Sequence, residues 1–188
     1  MNKKDEILGK SLILFGKYGY ENVGIQKIVD SVGVTKPTLY HYFGSKNGLL
    51  TQLINLYFDK LGSELKAKAS YSGHLLGSLE EFVKVYFRFT ENNKAFMSFF
   101  LTMINAPKES ELFETAYPRI KWLYDFLGST FIEAVIEHGN LKKKERQLTV
   151  TFYGIINSYV QMSLHNEMDL TGNAYFLVTK QFMHGIFA

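Results

Sequence analysis

The fold is decided by GYENVGIQKIVDSVGVTKPTLYHYFGSK, residues 19–46. Its first half contains a short apolar stripe at helical spacing, formed by Ile25, Ile28, Val29 and Val32. Gly33 follows the stripe and is a typical C-terminal stop for a helix. Thr35 predicts the N-cap of a next helix over about residues 36–42, and Pro37 lies in its first turn, where the missing N–H does no harm.

The two short helices are joined by residues 31–35, a tight turn in which Gly33 supplies left-handed backbone. The second helix is basic and polar on one side and offers Leu39 and Phe43 to a core on the other. A short polar helix after such a turn is typical of a recognition helix, which enters the major groove of DNA.

The same stretch resembles the DNA-binding signature of the tetracycline-repressor (TetR/AcrR-like) family of transcriptional regulators. The similarity includes the preceding helix and is most specific at residues 38–43, TLYHYF, followed by Ser45 and Lys46. Two positions depart from the family's pattern. Gly24 replaces the usual Ser or Thr N-cap, and Gly48 replaces a common acidic residue three after Ser45. Both departures are expected to weaken local helix capping.

The resemblance implies DNA-contacting roles on these helices. The recognition-helix positions that touch bases or adjacent backbone are here Lys36, Pro37, Thr38, Tyr40 and Tyr42. Gln26 matches another position that reaches a base, whereas Thr35 and His41 are better placed for phosphates. Lys46 matches a phosphate-contacting lysine in the first turn of a long helix, whose N–H groups act on the same anion. The alternatives are ordinary packing for the two tyrosines and a solvated side chain for Lys46.

The rest of the chain has helical periodicity and no convincing period-2 alternation. Further helices are expected over 3–19, 46–68, 79–92, 94–104, 109–138, 142–166 and 172–186. Residues 78–81 (SLEE) predict a capping box that opens a helix at 79, and Pro118 is a candidate break. The fold class is therefore all-α: an N-terminal three-helix helix-turn-helix domain in residues 1–46, followed by a helical bundle in residues 47–188.

Residues 82–131 are crowded with aromatic and methionine side chains, which either fill a core or line an adaptable apolar pocket. The resemblance implies a ligand inside this bundle. Its candidate residues are Tyr86, Phe89, Phe96, Phe100, Met103, Tyr117, Trp122 and Phe126, with Asn157 and Gln161 as polar anchors. Asn157, Gln161 and His165 share a helical face that is equally well explained as a solvated side. We expect a small apolar or aromatic effector; the alternative is a filled core without one.

The resemblance also implies a homodimer in which the last two helices of each subunit form a four-helix interface. The expected interface residues are Phe152, Ile156, Tyr159, Val160, Tyr175, Thr179, Phe182 and Met183. Two recognition helices about 34 Å apart would contact successive major-groove faces of a palindromic, double-stranded operator. We expect a repressor that the effector releases by moving the long helix over residues 46–68.

Composition narrows the remaining function classes. The net charge of +3 lies entirely in residues 1–50, which suits attraction to a polyanion. The chain has no cysteine, no hydrolase or nucleotide-binding motif, and five scattered histidines without metal-ligand spacing, so we expect no enzyme, metal or cofactor. No apolar run is long enough for a membrane span and the start is not a signal peptide, which favours a cytoplasmic protein. The alternative is a helical DNA-binding or protein-interaction module without an effector.

Overall fold

The structure, a computed structural model, describes residues 2–185. Within them the chain forms helices and no strand, which confirms the all-α prediction. The helices are α1 (Lys3–Tyr18), α2 (Ile25–Val32), α3 (Lys36–Phe43), α4 (Lys46–Lys68), α5 (Leu75–Asn92), α6 (Lys94–Ile104), α7 (Glu111–Ala134), the 3₁₀ turn η1 (Gly139–Leu141), α8 (Glu145–Leu164) and α9 (Ala174–His184). None of these helices is both long and apolar enough to cross a membrane.

The first three helices form because local capping and apolar spacing agree. The Asn2 side chain accepts a hydrogen bond from the Asp5 N–H and caps α1, which buries one apolar face and ends at Gly19. α1 packs on α2 and α2 on α3. Between α2 and α3, Gly33 adopts left-handed backbone with φ 67°, as the predicted tight turn requires.

The two glycines that depart from the family's pattern have different consequences. Gly24 is the N-cap of α2 and provides no side-chain hydrogen bond, so the expected loss of capping is confirmed there. At the start of α4, the Ser45 hydroxyl still accepts a hydrogen bond from the Gly48 N–H at 2.9 Å. A Cβ at Gly48 would lie 2.0 Å from the Phe43 carbonyl oxygen, so this backbone leaves no room for a side chain.

Two predicted helix boundaries are wrong. α5 begins at Leu75, because the His74 side chain caps it by accepting a hydrogen bond from the Gly77 N–H at 3.0 Å. Ser78 is therefore buried inside the helix, where its hydroxyl donates to the His74 carbonyl, and the predicted capping box does not form. Pro118 does not break its segment either, since α7 continues through it.

The chain divides into two compact units. Unit 1 comprises the residues up to 58 together with 95–119, and unit 2 comprises 59–94 and the residues from 120 onward. The divisions fall within α4, α7 and near the start of α6. This division by packing differs from the predicted functional boundary between residues 46 and 47, which stays a prediction.

Each unit has its own aromatic core. In unit 1, the Phe58 ring makes edge contacts with the rings of Phe96 and Phe100 at 5.9 and 5.3 Å. In unit 2, α5 packs against α8 and α9, and the ring of Phe152 lies 4.7 Å from that of Phe182. Buried aromatic side chains supply much of the apolar area that stabilises such small helical units.

Candidate nucleic-acid interface and effector site

The recognition helix α3 has a buried side and an exposed side. Leu39 and Phe43 are buried, as predicted, and fix the helix on the rest of unit 1. Tyr40 and Tyr42 keep 46% and 36% of their surface exposed, so neither is a core residue. Lys36 is exposed. The helix thus presents aromatic, hydroxyl and cationic groups to solvent, which is the chemistry that base edges and phosphates bind.

The other predicted residues of this surface lie around α3. Thr35 is the N-cap: its hydroxyl oxygen lies 3.4 Å from the Thr38 N–H and 3.0 Å from the Thr38 hydroxyl. Pro37 and His41 are exposed. On α2, the exposed Gln26 amide donates to the Asp30 carboxylate at 2.7 Å, which leaves its second N–H and its carbonyl oxygen available to a base.

Lys46, in the first turn of α4, is held by an aromatic ring that the sequence did not predict. Its ammonium lies 4.0 Å from the centre of the Tyr20 ring, a cation–π distance. Burial lowers the pKa of Lys46, while the carboxylates of Glu21 and Glu111 act in the opposite direction. Lys46 is partly buried, and its phosphate contact stays a prediction.

Two hydrogen bonds join Tyr20 and the first turn of α4 to the first turns of α7. The buried Tyr20 hydroxyl donates to the Glu111 carboxylate at 2.5 Å, and burial together with this bond strongly raises the Tyr20 pKa. The Asn47 amide donates to the Thr115 hydroxyl at 2.8 Å. These partners are 91 and 68 residues apart in the chain, so nothing in the sequence pattern indicated them.

In unit 2, the predicted effector residues Tyr86, Trp122, Phe126 and Asn157 come together in one aromatic layer. Trp122 stacks on Phe126 at 5.4 Å, Phe126 on Phe82 at 6.4 Å, and Phe82 on Tyr86 at 5.9 Å. The Tyr86 hydroxyl donates to the Asn157 amide oxygen at 3.1 Å. A polar group therefore lies at one end of an apolar layer, an arrangement suited to an apolar ligand with one polar atom.

Two tyrosines complete this cluster. The hydroxyls of Tyr86 and Tyr153 lie 3.4 Å apart, and the Tyr124 ring packs edge-on against Tyr153 at 4.4 Å. Burial raises the pKa of all three tyrosines, so their hydroxyls stay neutral. Tyr153 lies one helical turn before Asn157, and that spacing is the signal from which it was predictable.

The other predicted effector residues lie elsewhere. Phe96, Phe100 and Met103 are buried in unit 1, whereas Phe89 is buried in unit 2. Tyr117, also in unit 1, is 47% exposed and stacks on Phe113. Gln161 is exposed. The ten predicted residues therefore divide between the two units, and their shared effector site stays a prediction.

The predicted interface residues include both buried and exposed side chains. Phe152, Ile156, Val160 and Thr179 are buried within the single chain, so they form its core rather than its surface. Tyr159, Tyr175 and Phe182 are partly exposed, and Met183 is 40% exposed. The exposed apolar residues of α8 and α9 that the sequence analysis did not select are Val150, Met162, Phe176 and Leu177.

Known proteins match both the N-terminal helices and the whole fold. Residues 7–53 match the profile described as "Bacterial regulatory proteins, tetR family". The chain is 26% identical over 107 residues to the biofilm operon icaADBC HTH-type negative transcriptional regulator IcaR of Staphylococcus aureus, covering 56% of each protein. It is 32% identical over 65 residues to the HTH-type transcriptional repressor ComR of Escherichia coli, covering 35% of this chain and 31% of ComR. The chain thus spans about half or less of the length of these relatives.

Solved structures extend the likeness over nearly the whole chain. The fatty acid degradation regulator FadR from Bacillus halodurans superimposes with a TM-score of 0.80 at 18% identity, covering 100% of this chain and 97% of FadR. FadR from Bacillus subtilis, in complex with stearoyl-CoA, gives 0.79 at 18% identity, covering 97% and 98%. At these identities the likeness establishes the fold. The profile that matches residues 7–53 is one of regulatory proteins, not of enzymes. By its helix-turn-helix and the matching profile, the segment of residues 7–53 belongs to the tetR family of bacterial regulatory proteins, and the chain has the fold of the FadR regulators.

Proposed function

We propose that this chain is a dimeric repressor that binds a palindromic operator through α3 and is released by a small apolar or aromatic effector. The observation that carries the DNA-binding part is the exposed face of α3, held on buried Leu39 and Phe43. IcaR is a negative regulator and ComR a repressor, which supports repression for this chain. A regulator of this kind acts on the chromosome, so we propose the bacterial cytoplasm as its location.

The proposed DNA contacts are tested by separating specificity from general affinity. The probe is a duplex selected by the protein from a random-sequence library, compared with a scrambled duplex of equal composition. Lys36→Ala or Tyr40→Ala removes a base-contacting group, so we expect the preference for the selected duplex to fall by about 1–3 kcal/mol. Lys46→Ala removes a phosphate contact and should weaken both duplexes alike. An unchanged preference in both α3 variants would contradict the recognition-helix assignment.

Dimerisation is proposed through the exposed faces of α8 and α9. Gly154 and Ser158 lie on the exposed side of α8, where small side chains let a second helix approach closely. Apolar side chains flank them on α8 and continue on α9: Val150, Met162, Phe176, Leu177 and Met183. A surface this apolar is typical of an interface, and two copies supply the two recognition helices that a palindrome needs.

Gly154→Arg tests this surface. A Cβ at Gly154 meets no atom within 4 Å, so the arginine fits the single chain but obstructs a partner helix. We expect sedimentation velocity to show a monomer for this variant and a dimer for the native chain. Gly9→Arg is the matched control, because Gly9 is also helical with open space around its Cβ. A dimer of native affinity in Gly154→Arg would place the interface elsewhere.

The effector is proposed to bind at the aromatic layer of unit 2, with the Tyr86 hydroxyl and Asn157 amide as polar anchors. The stearoyl-CoA complex of Bacillus subtilis FadR supports an apolar effector, although that protein shares only the fold. The alternative, a filled core without an effector, is supported by the close ring contacts of Tyr86, Phe82 and Phe126.

Thermal unfolding with stearoyl-CoA and a panel of small aromatic compounds distinguishes the two. A compound at about 100 times its Kd stabilises the protein by about 2.7 kcal/mol and should release the selected duplex. Tyr86→Phe and Asn157→Ala should abolish both effects, whereas Asn92→Ala, an exposed amide on the same helix as Tyr86, should preserve them. If no compound of the panel stabilises the protein, the filled core is favoured.

A further inference from the structure

The start of α4 carries the lysine to which the proposed function assigns a phosphate contact. Lys46 and Asn47 are adjacent there, and each is linked to α7, Lys46 through Tyr20 and Asn47 directly. Lys46 lies over the ring of Tyr20, whose hydroxyl donates to Glu111, and Asn47 donates to Thr115. Glu111 and Thr115 are four residues apart and therefore lie on one face of the first turns of α7.

The packing of unit 1 supports the same connection independently. Residues 95–119, which include α6 and the start of α7, form one compact unit with the residues up to 58. Tyr20 is almost fully buried and its ring makes an edge contact with Phe15 of α1 at 5.1 Å. The ring under Lys46 is thus fixed by α1 on one side and by Glu111 on the other.

We infer that Glu111 and Thr115 of α7 are positioning residues for DNA binding, which hold the first turn of α4 so that Lys46 meets a phosphate. This inference rests on the proposed function and adds two residues far from the helix-turn-helix to it. A lysine side chain that is already restrained loses less conformational freedom on binding. A cation–π contact at a partly exposed site is weak compared with an ion contact to phosphate, so Tyr20 orients the ammonium without competing with DNA.

The sign of the effect follows from comparing two carboxylates on the same turn. Glu111→Ala and Glu114→Ala each remove one negative charge from α7, which favours DNA binding at long range, and the charge of Glu111 also acts on Lys46. Glu114 is exposed, and it lies on the same helix as Glu111. Any weakening of DNA binding by Glu111→Ala relative to Glu114→Ala therefore reports the lost positioning.

The experiment measures the affinity of the full-length protein for its selected duplex between 0.05 and about 0.3 M salt, conditions over which phosphate contacts set the slope. Because the proposed dimer carries two copies of this lysine, Lys46→Ala should weaken binding roughly 60-fold at about 0.1 M salt and lower the slope of log K against log salt by about 1.8. The Glu111→Ala, Thr115→Val double variant should weaken binding about three- to eightfold relative to Glu114→Ala and lower the slope toward that of Lys46→Ala.

A double-mutant comparison isolates the connection to Lys46. In the Lys46→Ala background, Glu111→Ala should change affinity no more than Glu114→Ala does, because the lysine to be positioned is gone. Glu111→Ala leaves the buried Tyr20 hydroxyl without its hydrogen-bond acceptor, which can destabilise the protein. The Tyr20→Phe, Glu111→Ala variant avoids this because it removes the hydroxyl together with the carboxylate. Circular dichroism and melting temperature check its fold.

The outcomes separate the inference from the function on which it rests. If Lys46→Ala leaves affinity and salt slope unchanged, the proposed phosphate contact itself is wrong. Suppose instead that Lys46→Ala weakens binding as expected. The positioning role is then overturned if Glu111→Ala and the Tyr20→Phe, Glu111→Ala variant have the same affinity and salt slope as Glu114→Ala. The positioning role is also overturned if Glu111→Ala strengthens binding relative to Glu114→Ala.

Discussion

Ser11 provides a sharp test of the energetics of the DNA-binding unit. It lies in α1, fully buried, and its hydroxyl oxygen has no hydrogen-bond partner among the described residues. Folding therefore removes a polar group from water without replacing its hydrogen bond, which is unfavourable by about 1–3 kcal/mol. Ser11→Ala removes only that hydroxyl and keeps the helix.

The expected gain has two parts. Alanine favours a helix interior over serine by about 0.5 kcal/mol, and removal of the unsatisfied hydroxyl adds the larger part. Together they should raise the free energy of unfolding by about 1.5–3.5 kcal/mol. For a chain of this size each kcal/mol shifts the melting temperature by about 2–4 °C, so the expected rise is roughly 3–14 °C.

Ser98→Ala is the matched control for Ser11→Ala. Ser98 is also helical and belongs to the same unit, but it is exposed, so its replacement should show the helix-propensity gain alone, about 0.5 kcal/mol. Urea unfolding, followed by the circular dichroism signal of the helices, gives the free energy of unfolding of both variants. A Ser11→Ala gain no larger than that of Ser98→Ala would show that the hydroxyl is satisfied in solution and refute the reasoning.

Further expectations concern single positions. Gly33→Ala, at φ 67° with open space around its Cβ, should lower the free energy of unfolding by about 1–2 kcal/mol in urea titrations, whereas Gly9→Ala in helical backbone should raise it by about 0.5–1. Pro118→Ala should raise the melting temperature, because alanine supplies the backbone N–H that α7 lacks there and is favoured by up to about 3 kcal/mol. Burial raises the pKa values of Tyr86 and Tyr153, so both hydroxyls stay neutral in the folded protein. In the unfolded chain they ionise at a pKa of about 10, so the free energy of unfolding should fall as pH rises above that value. Tyr86→Phe should reduce this fall between pH 9 and about 11.5 in urea titrations, and an unchanged fall would contradict the burial of Tyr86.

The N-terminal helices were predictable because their signals are local. Thr35 caps α3 and Gly33 ends α2 through contacts within a few residues, so the sequence alone places both boundaries. The start of α5 was mispredicted because its cap is the side chain of His74, and histidine is not among the residues that usually cap a helix N-terminus, whereas Ser78 is a serine. Pro118 was mispredicted because proline also occurs inside long helices whose packing outweighs its lost hydrogen bond.

The faces of α8 were only half predictable. Its apolar residues occupy more than one side, and periodicity cannot tell which side meets the chain's own core. Phe152 and Ile156 face that core, whereas Val150 remains 53% exposed. The hydrogen bond between Tyr20 and Glu111 was beyond sequence reasoning, since it depends on tertiary packing across 91 residues.

Unit 1 is built from two separate segments of the chain, which affects how it folds during synthesis and how it can be transferred to another protein. A ribosome releases the N-terminal helices long before residues 95–119, so this unit can complete its packing only after the intervening residues 59–94 have emerged. A chimera that transplants residues 1–50 onto another regulator would leave Tyr20 and Asn47 facing foreign partners. Transferring residues 95–119 together with residues 1–50 should restore the packing of unit 1, so the two segments need to be exchanged together.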